Sequence, residues 1–175
     1  MSDFLRPIAL ATIRDGQVVE VDADEALKKA ITDRLRLVSV DMFAARATLE
    51  REGEAIAVNG TLNATVEQAC TATGEPVTEA VEETFALLFA PQPRTQEDEE
   101  IELGVDDLDT IFHDGRDIAL GDAIVDTLAL SLDPYPRIEG AEAKLREAGV
   151  LSEEEAGAFG ALAELKKKME GGDQP

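Results

Sequence analysis

Two residue types that often carry chemistry occur once each in this chain, as His113 and Cys70. A histidine can act as a general base or bind a metal, but a catalytic triad also needs a nucleophile held beside the ring. The chain has no Gly-x-Ser-x-Gly motif, which would present such a nucleophile on a strained turn. Asp114 and Gly115, which follow His113, are typical of loops. We therefore expect a solvated loop histidine.

Cys70 ends a run in which apolar and polar residues alternate, and it falls in the apolar series. Unpaired cysteines commonly behave as small buried hydrophobic residues, so packing is the role that we expect. A single cysteine cannot form a disulfide within the chain, and it cannot build a zinc site from thiolates.

The densest group of carboxylates lies between Glu97 and Asp109, where eight acidic residues occur without a basic one. Carboxylates can bind a divalent cation, but calcium loops space their ligands around a turn and this run does not. We predict a solvated, flexible loop over about residues 91–109. The chain also lacks the glycine-rich motifs that bind phosphates. We therefore predict no enzyme, no catalytic residue, no cofactor and no metal; a hydrolase that uses aspartate and glutamate is the enzymatic alternative.

Charge limits the classes of partner. The chain has 16 lysines and arginines against 38 aspartates and glutamates, a net charge of −22. Residues 1–51 hold 8 basic and 9 acidic residues, so the negative charge lies almost wholly in residues 52–175. A surface this acidic repels nucleic-acid phosphates at long range. It favours a basic protein partner and argues against DNA.

Direct RNA binding would need a local basic patch, and the nearly neutral first third is where one could form. We predict that any RNA contact involves four arginines, Arg34, Arg36, Arg46 and Arg51. The simpler interpretation is that these arginines are ordinary solvated charges.

The elements that must position these residues are organised around two strands, 56–70 and 77–89, joined by a turn at residues 73–76. Alternation places an apolar series on one face of each strand. Gly60 interrupts the first series and marks either a bulge or a close backbone approach. Glu79 and Glu83 interrupt the second series, which predicts that the early part of this strand is at a sheet edge.

The rest of the chain predicts an α+β fold, an antiparallel meander packed by two helices. Asp22 or Asp24 caps the first helix, which runs to about residue 37. The second helix covers residues 121–132, with Leu130 in its apolar stripe. A phase slip near Met42 predicts a bulge. The remaining predictions are strands 4–13, 18–21 and 38–50, helices 141–148 and 152–169, and a frayed tail, 171–175.

No apolar run approaches the ~18 residues that a spanning helix needs, and Asp3 and Arg6 interrupt any signal-peptide pattern at the N-terminus. We expect a cytoplasmic protein with no membrane contact. The oligomeric state stays open.

Two segments of the hairpin carry a family resemblance. They read Val58-Asn59-Gly60-Thr61-Leu62 and Cys70-Thr71-Ala72-Thr73-Gly74-Glu75-Pro76-Val77. The pattern resembles the YceD family, also known as the large ribosomal RNA subunit accumulation proteins, whose members show a Val-x-Gly-x-Leu strand, a Cys-x-x-Cys-x-Glu-Pro-Val turn and an acidic loop. The Leu-rich segment 117–132 and its proline-containing exit continue the likeness, which runs over about residues 4–137. Thr73 replaces the second cysteine of the turn, and the paired cysteine after Leu132 is absent. No metal or redox role of four-cysteine members therefore carries over.

The resemblance implies a YceD-like domain over residues 1–137, followed by a C-terminal helical appendage and frayed tail over 138–175. It also implies a non-enzymatic factor in large ribosomal subunit biogenesis, supporting 23S ribosomal RNA accumulation or processing. The direct partner would be precursor ribosomal RNA or a basic ribosomal or assembly protein. The alternative function is an acidic protein-binding adaptor or chaperone unrelated to ribosomes.

Overall fold

The computed structural model describes residues 3–92 and 109–150. The strands are β1 (Ile8–Ala9), β2 (Gln17–Asp22), β3 (Ser39–Glu52), β4 (Ala55–Ala69), β5 (Pro76–Pro91), β6 (Asp109–His113) and β7 (Asp117–Ile118). The α-helices are α1 (Glu25–Leu35), α2 (Leu120–Ser131) and α3 (Ala141–Glu147), and two short 3-10 turns cover Asp3–Leu5 and Leu10–Thr12.

Five strands form one sheet in the order β2-β3-β4-β5-β6. β2 pairs with β3, and β3 with β4, in antiparallel fashion. Residues 70–75 join β4 to its neighbour β5, and so short a connection is a hairpin, because parallel neighbours need a longer crossover. β6 is the exception, since it runs parallel to the last five residues of β5. β1 and β7 form a separate two-stranded sheet. The predicted α+β class and antiparallel meander are confirmed, and the parallel strand is an addition to them.

Among the described residues, helices cover one face of the sheet and leave the other face exposed. On β3, Phe43, Ala47 and Leu49 are buried in a core cluster that also contains residues of α1 and α2, whereas the intervening Met42 and Arg46 are exposed. The register shift between Val40 and Met42 determines which residues of β3 face the core, and it confirms the predicted bulge. The core is mainly aliphatic, and its largest fully buried side chains include Leu27, Ile31, Leu62, Phe89, Ile124 and Leu128.

Local signals set the bounds of α1, the first of the two covering helices. The Asp24 carboxylate accepts a hydrogen bond of 2.8 Å from the Leu27 amide, so Asp24 and not Asp22 caps α1. α1 ends at Leu35 and is capped by Arg36, which adopts a left-handed conformation with φ of 57°. α2 has Val125 buried as predicted, but Leu130 is 83% exposed, so its predicted place in the apolar stripe is wrong. Leu130 lies on the face of α2 that is turned away from the core, because Leu128 just before it is buried in the core cluster and Leu132 just after it packs against that cluster.

Two further predictions need correction. Residues 4–13 do not form one strand, because only Ile8–Ala9 finds a strand partner, in β7. Phe4 instead packs its ring edge-on against Phe43, with centroids 6.2 Å apart. The predicted loop over 91–109 is also too long at both ends, since Pro91 ends β5 and Asp109 begins β6. The rest of that loop, the helix over 152–169 and the tail lie outside the described residues.

The chain divides into two compact units, one formed by Met1–Gln68 and Thr78–Pro134, the other by Ala69–Val77 and Tyr135–Pro175. Within the second, the turn is closed by hydrogen bonds from the Cys70 amide to the Glu75 carbonyl (2.7 Å) and from the Gly74 amide to the Cys70 carbonyl (2.8 Å). α3 confirms the short helix predicted at 141–148. The predicted domain boundary after residue 137 stays a prediction. Within the described ranges, no helix combines the length and apolar composition that crossing a bilayer requires.

Candidate functional site

Arg34 connects the two helices that cover the sheet. It lies in the last turn of α1, and its guanidinium is hydrogen-bonded to the carboxylate of Asp122 and, at 2.7 Å, to that of Asp126, both on α2. Partial burial disfavours the charge, but the two carboxylates outweigh that cost and raise the pKa of Arg34. The side chain is therefore already neutralised by two partners within the fold.

Arg46 lies on the open face of the sheet. Its Nη1 is 2.8 Å from Oε1 of Glu20, the residue directly opposite on β2. Both side chains are exposed, so the pair contributes little to stability. A shallow depression of about 310 Å³ surrounds the pair, and Asp22, Thr61 and Asn63 also line it. With two carboxylates for one guanidinium, this depression does not attract a phosphate.

Arg51 has a structural role near the end of β3. Its Nη2 donates to the Leu10 carbonyl at 2.7 Å and to the Ile13 carbonyl at 3.4 Å. Its backbone amide donates to the Asp15 carboxylate at 2.9 Å. Residue 51 therefore holds the 3-10 turn Leu10–Thr12 and the residues that follow it in place.

Arg36 is exposed at the end of α1, and no ion pair of its side chain is present among the described residues. The four arginines do not form one patch. Arg34 lies on the side of the sheet that the helices cover, and Arg46 lies on the opposite side. Their role in RNA binding stays a prediction, but a single basic surface made of all four is not what the fold presents.

His113 is buried, with 7% of its surface exposed, so the expected solvated loop histidine is wrong. Its Nδ1 accepts a hydrogen bond from the Gly115 amide at 3.1 Å, which leaves the proton on Nε2 to be donated to the Glu54 carbonyl at 3.2 Å. Both ring nitrogens are engaged by backbone groups, so neither serves as a free base here. The sequence carried little signal for this burial, because the apolar Ile111 and Phe112 are adjacent and hide the alternation that a strand would show.

Cys70 is buried as expected, with 3% of its surface exposed, but it also accepts hydrogen bonds. The Thr73 side chain, the residue in place of the second cysteine, is the largest cause that lowers the pKa of Cys70 to about 7, and the Ile138 amide, 3.5 Å from the sulfur, adds to it. Nearby, Glu75 pairs with Lys144 at 2.6 Å, which lowers the pKa of Glu75, and Thr73 contributes less. In the part of the chain that is described, no three histidine, cysteine or acidic side chains converge as a metal site.

Comparison with known proteins identifies a family. A family model described as "Large ribosomal RNA subunit accumulation protein YceD" matches residues 58–167, a stretch that begins in β4 and includes β5, β6 and α2. No curated protein and no solved structure matches the chain.

Proposed function

The chain belongs to the YceD family of large ribosomal RNA subunit accumulation proteins, and from that premise we propose that it supports accumulation of 23S ribosomal RNA by binding a basic ribosomal or assembly protein. It acts as a non-enzymatic factor in biogenesis of the large subunit, in the cytoplasm where subunits assemble. RNA is then protected indirectly, through the protein that this chain delivers or holds.

The contacts that the arginines already make favour a protein partner over RNA. Phosphate binding needs guanidinium groups with free donors. Each of three arginines already has a partner: Arg34 donates to Asp122 and Asp126, Arg46 pairs with Glu20, and Nη2 of Arg51 donates to two backbone carbonyls. The first third, with 8 basic and 9 acidic residues, therefore does not offer these three arginines as freely available phosphate ligands.

The carboxylates favour the same partner. With 38 acidic residues against 16 basic ones, the protein attracts cationic surfaces at long range and accelerates their association. Ribosomal proteins that bind RNA must themselves present cationic surfaces. An acidic protein can shield such a surface until RNA replaces it.

Co-sedimentation of the tagged protein with ribosomal particles from its own cells, at low and moderate salt, tests the proposal. We expect association with large-subunit precursors that weakens as salt rises, because charged contacts dominate. After crosslinking, the protein should be joined to a basic polypeptide and not to RNA. Absence from the particles at both salt concentrations would overturn the proposal, and so would capture of basic proteins unconnected with ribosomes, which the adaptor alternative predicts.

Arginine substitutions test the alternative that RNA is the direct partner. If RNA is the direct partner, substituting Arg34, Arg36, Arg46 and Arg51 with alanine abolishes an RNA crosslink. Because Arg34 and Arg51 also hold the fold, the double variant Arg36→Ala/Arg46→Ala is the cleaner test. An RNA crosslink that this double variant weakens would favour RNA over the protein partner.

A further inference from the structure

The first part of β5 is an edge of the sheet that the described strands form. β6 pairs only with Leu87–Pro91 of β5. Among the described strands, none lies on that side of residues 78–86. Every second residue of an edge strand directs its N–H and C=O groups away from the sheet, where another strand can pair with them. The predicted edge position of the early part of this strand is thus what the structure shows.

A groove runs along this edge beside α2. A depression of about 350 Å³ is lined by Glu83, Thr84 and Ala86 on the strand, by Leu130 and Ser131 at the end of α2, and by Asp109 at the start of β6. Leu130 is the most exposed large apolar side chain among those described, at 83%. An apolar residue with so little cover beside unpaired backbone is typical of a peptide-binding edge.

The charge of the groove selects its occupant. Glu83 and Asp109 line it, Glu82 is exposed beside Glu83, and no basic residue lines it. Carboxylates on an edge normally prevent pairing with a similar edge, and a second copy would bring the same carboxylates. The acidic run 97–107 of this chain carries the same sign of charge. A cationic strand, in contrast, gains from every one of these groups.

We propose that residues 78–86 of β5 accept an extended, lysine- or arginine-rich segment of a partner protein as an added strand. The backbone of the segment pairs with the edge, its cationic side chains contact Glu82, Glu83 and Asp109, and one apolar side chain packs on Leu130. This inference rests on the proposed function, because it names the surface that a basic ribosomal or assembly protein would occupy.

The test uses the whole chain and a synthetic peptide of alternating lysine and valine, about nine residues long to match the edge. We expect binding, measured by fluorescence anisotropy, together with slower hydrogen exchange of backbone amides within residues 78–86. The double variant Glu82→Lys/Glu83→Lys should weaken binding about tenfold. Glu50→Lys/Glu52→Lys on β3 makes the same charge change away from the edge and should bind nearly as the parent does.

A second peptide separates strand addition from simple charge attraction without altering the protein. Methylation of alternate backbone nitrogens keeps all lysines but removes the donors of one edge, and this peptide should lose most of its affinity. Equal binding of both peptides, unchanged exchange within residues 78–86, or equal weakening in the two double variants would overturn the inference. Protection of the same amides by single-stranded RNA in place of the peptide would also overturn it.

The experiments distinguish failure of this inference from failure of the proposed function. If the parent protein associates with large-subunit precursors and Glu82→Lys/Glu83→Lys does so equally, the proposed function stands and the edge is the wrong surface. If the parent protein does not associate at all, the proposed function fails whatever the peptide does.

Discussion

The ring of Phe85 on β5 lies directly over Gly60 on β4. A β-carbon added to Gly60 would sit 2.5 Å from Cζ of Phe85 and 2.5 Å from the carbonyl oxygen of Arg46. The β3–β4 register runs through this position without a break, with Gly60 opposite Ala47. The glycine in the apolar series is therefore a close approach and not a bulge, and it makes room for a buried ring.

Replacing this glycine should destabilise the fold. Gly60→Ala forces either the ring or the backbone of β3 to move, and overpacking of this kind costs about 1–3 kcal/mol of unfolding free energy. Chemical denaturation measures the loss. Thr61→Ala, on the open face next in the chain, is the control and should change stability by no more than about 0.5 kcal/mol. Adding Phe85→Leu should recover only part of the loss, because the Arg46 carbonyl remains in place.

The ion pairs of Arg34 should contribute modest, salt-dependent stability. Arg34→Met keeps much of the side-chain volume but removes the charge that connects α1 to α2. Because Arg34 and both aspartates are partly exposed, solvent screening limits the expected loss to about 0.5–1 kcal/mol. Urea denaturation at low and high salt measures it, and the difference from the parent should shrink at high salt.

A double-mutant cycle controls this result. Arg34→Met and Asp126→Asn should be less than additive, because each removes the same interaction. Lys29→Met breaks an exposed pair with Asp33 within α1 alone and should cost less. Strict additivity of the Arg34 and Asp126 changes would contradict a bridge between the helices.

His113 should stabilise the region where β6 ends. His113→Phe keeps an aromatic ring in the buried position but removes both hydrogen bonds. The Glu54 carbonyl and the Gly115 amide then lose their partners, but both residues are exposed and water can replace the ring, so the expected loss is about 0.5–1.5 kcal/mol. Thermal unfolding should show the loss, and local hydrogen exchange should quicken at Gly115. Phe112→Leu, an exposed neighbour, should leave both measurements close to those of the parent.

Local signals predicted much of the architecture because periodicity and caps act over a few residues. The hairpin strands, the Asp24 cap and the bulge near Met42 each follow from side-chain alternation or hydrogen bonding within one segment. β6 was missed because five residues after an acidic run form a strand only when β5 offers an edge, and that pairing spans about twenty positions of sequence. The prediction of a strand over residues 4–13 was wrong for the same reason. The contact of Phe4 with the distant Phe43 ring, and not the strand propensity of the segment, decides its conformation.

The candidate site was less predictable than the fold. Composition showed that half of the basic residues lie in the nearly neutral first third, but it could not show which carboxylate each arginine would meet. Arg34 and Asp122 are 88 residues apart in sequence and adjacent in space. His113 was misread because burial depends on neighbours that other segments supply, here Glu54.

The pair of Glu75 and Lys144 should control the titration of that carboxyl group. The hydrogen bond to Lys144 is the main cause that lowers the pKa of Glu75. Because the pKa is lower in the folded state, the ionised carboxylate stabilises the fold at pH values above the ordinary glutamate pKa of about 4.3. This stabilisation is lost as the pH falls through the lowered pKa. Lys144→Met should therefore raise the pKa of Glu75, measured by NMR titration of its side-chain carboxyl. Lys28→Met, whose exposed partner is Glu25, should leave the Glu75 titration unchanged.

Cys70 should make the stability of the fold depend on pH near and above neutrality, whereas Glu75 does so in the acid range. Its pKa is lowered to about 7, first by the Thr73 side chain, against about 8.5 for an ordinary thiol. Since the folded state favours the thiolate, the stabilisation is complete above the ordinary value and is lost as pH falls through about 7. The stability of the parent relative to Cys70→Ser should therefore rise between these two values. Ultraviolet absorbance of the thiolate should follow the same titration.

Thr73→Val is the matched variant for this titration, because it keeps the shape of the side chain but removes the hydroxyl. It should raise the pKa of Cys70 and flatten the gain in stability above neutral pH. Thr71→Val, whose hydroxyl is bonded to the Pro136 carbonyl and not to the sulfur, should leave the thiol titration in place. Equal titration curves for the parent and Thr73→Val would show that the backbone amides, and not Thr73, stabilise the thiolate. The residue that replaces the second cysteine of the family turn would then have no part in tuning the first.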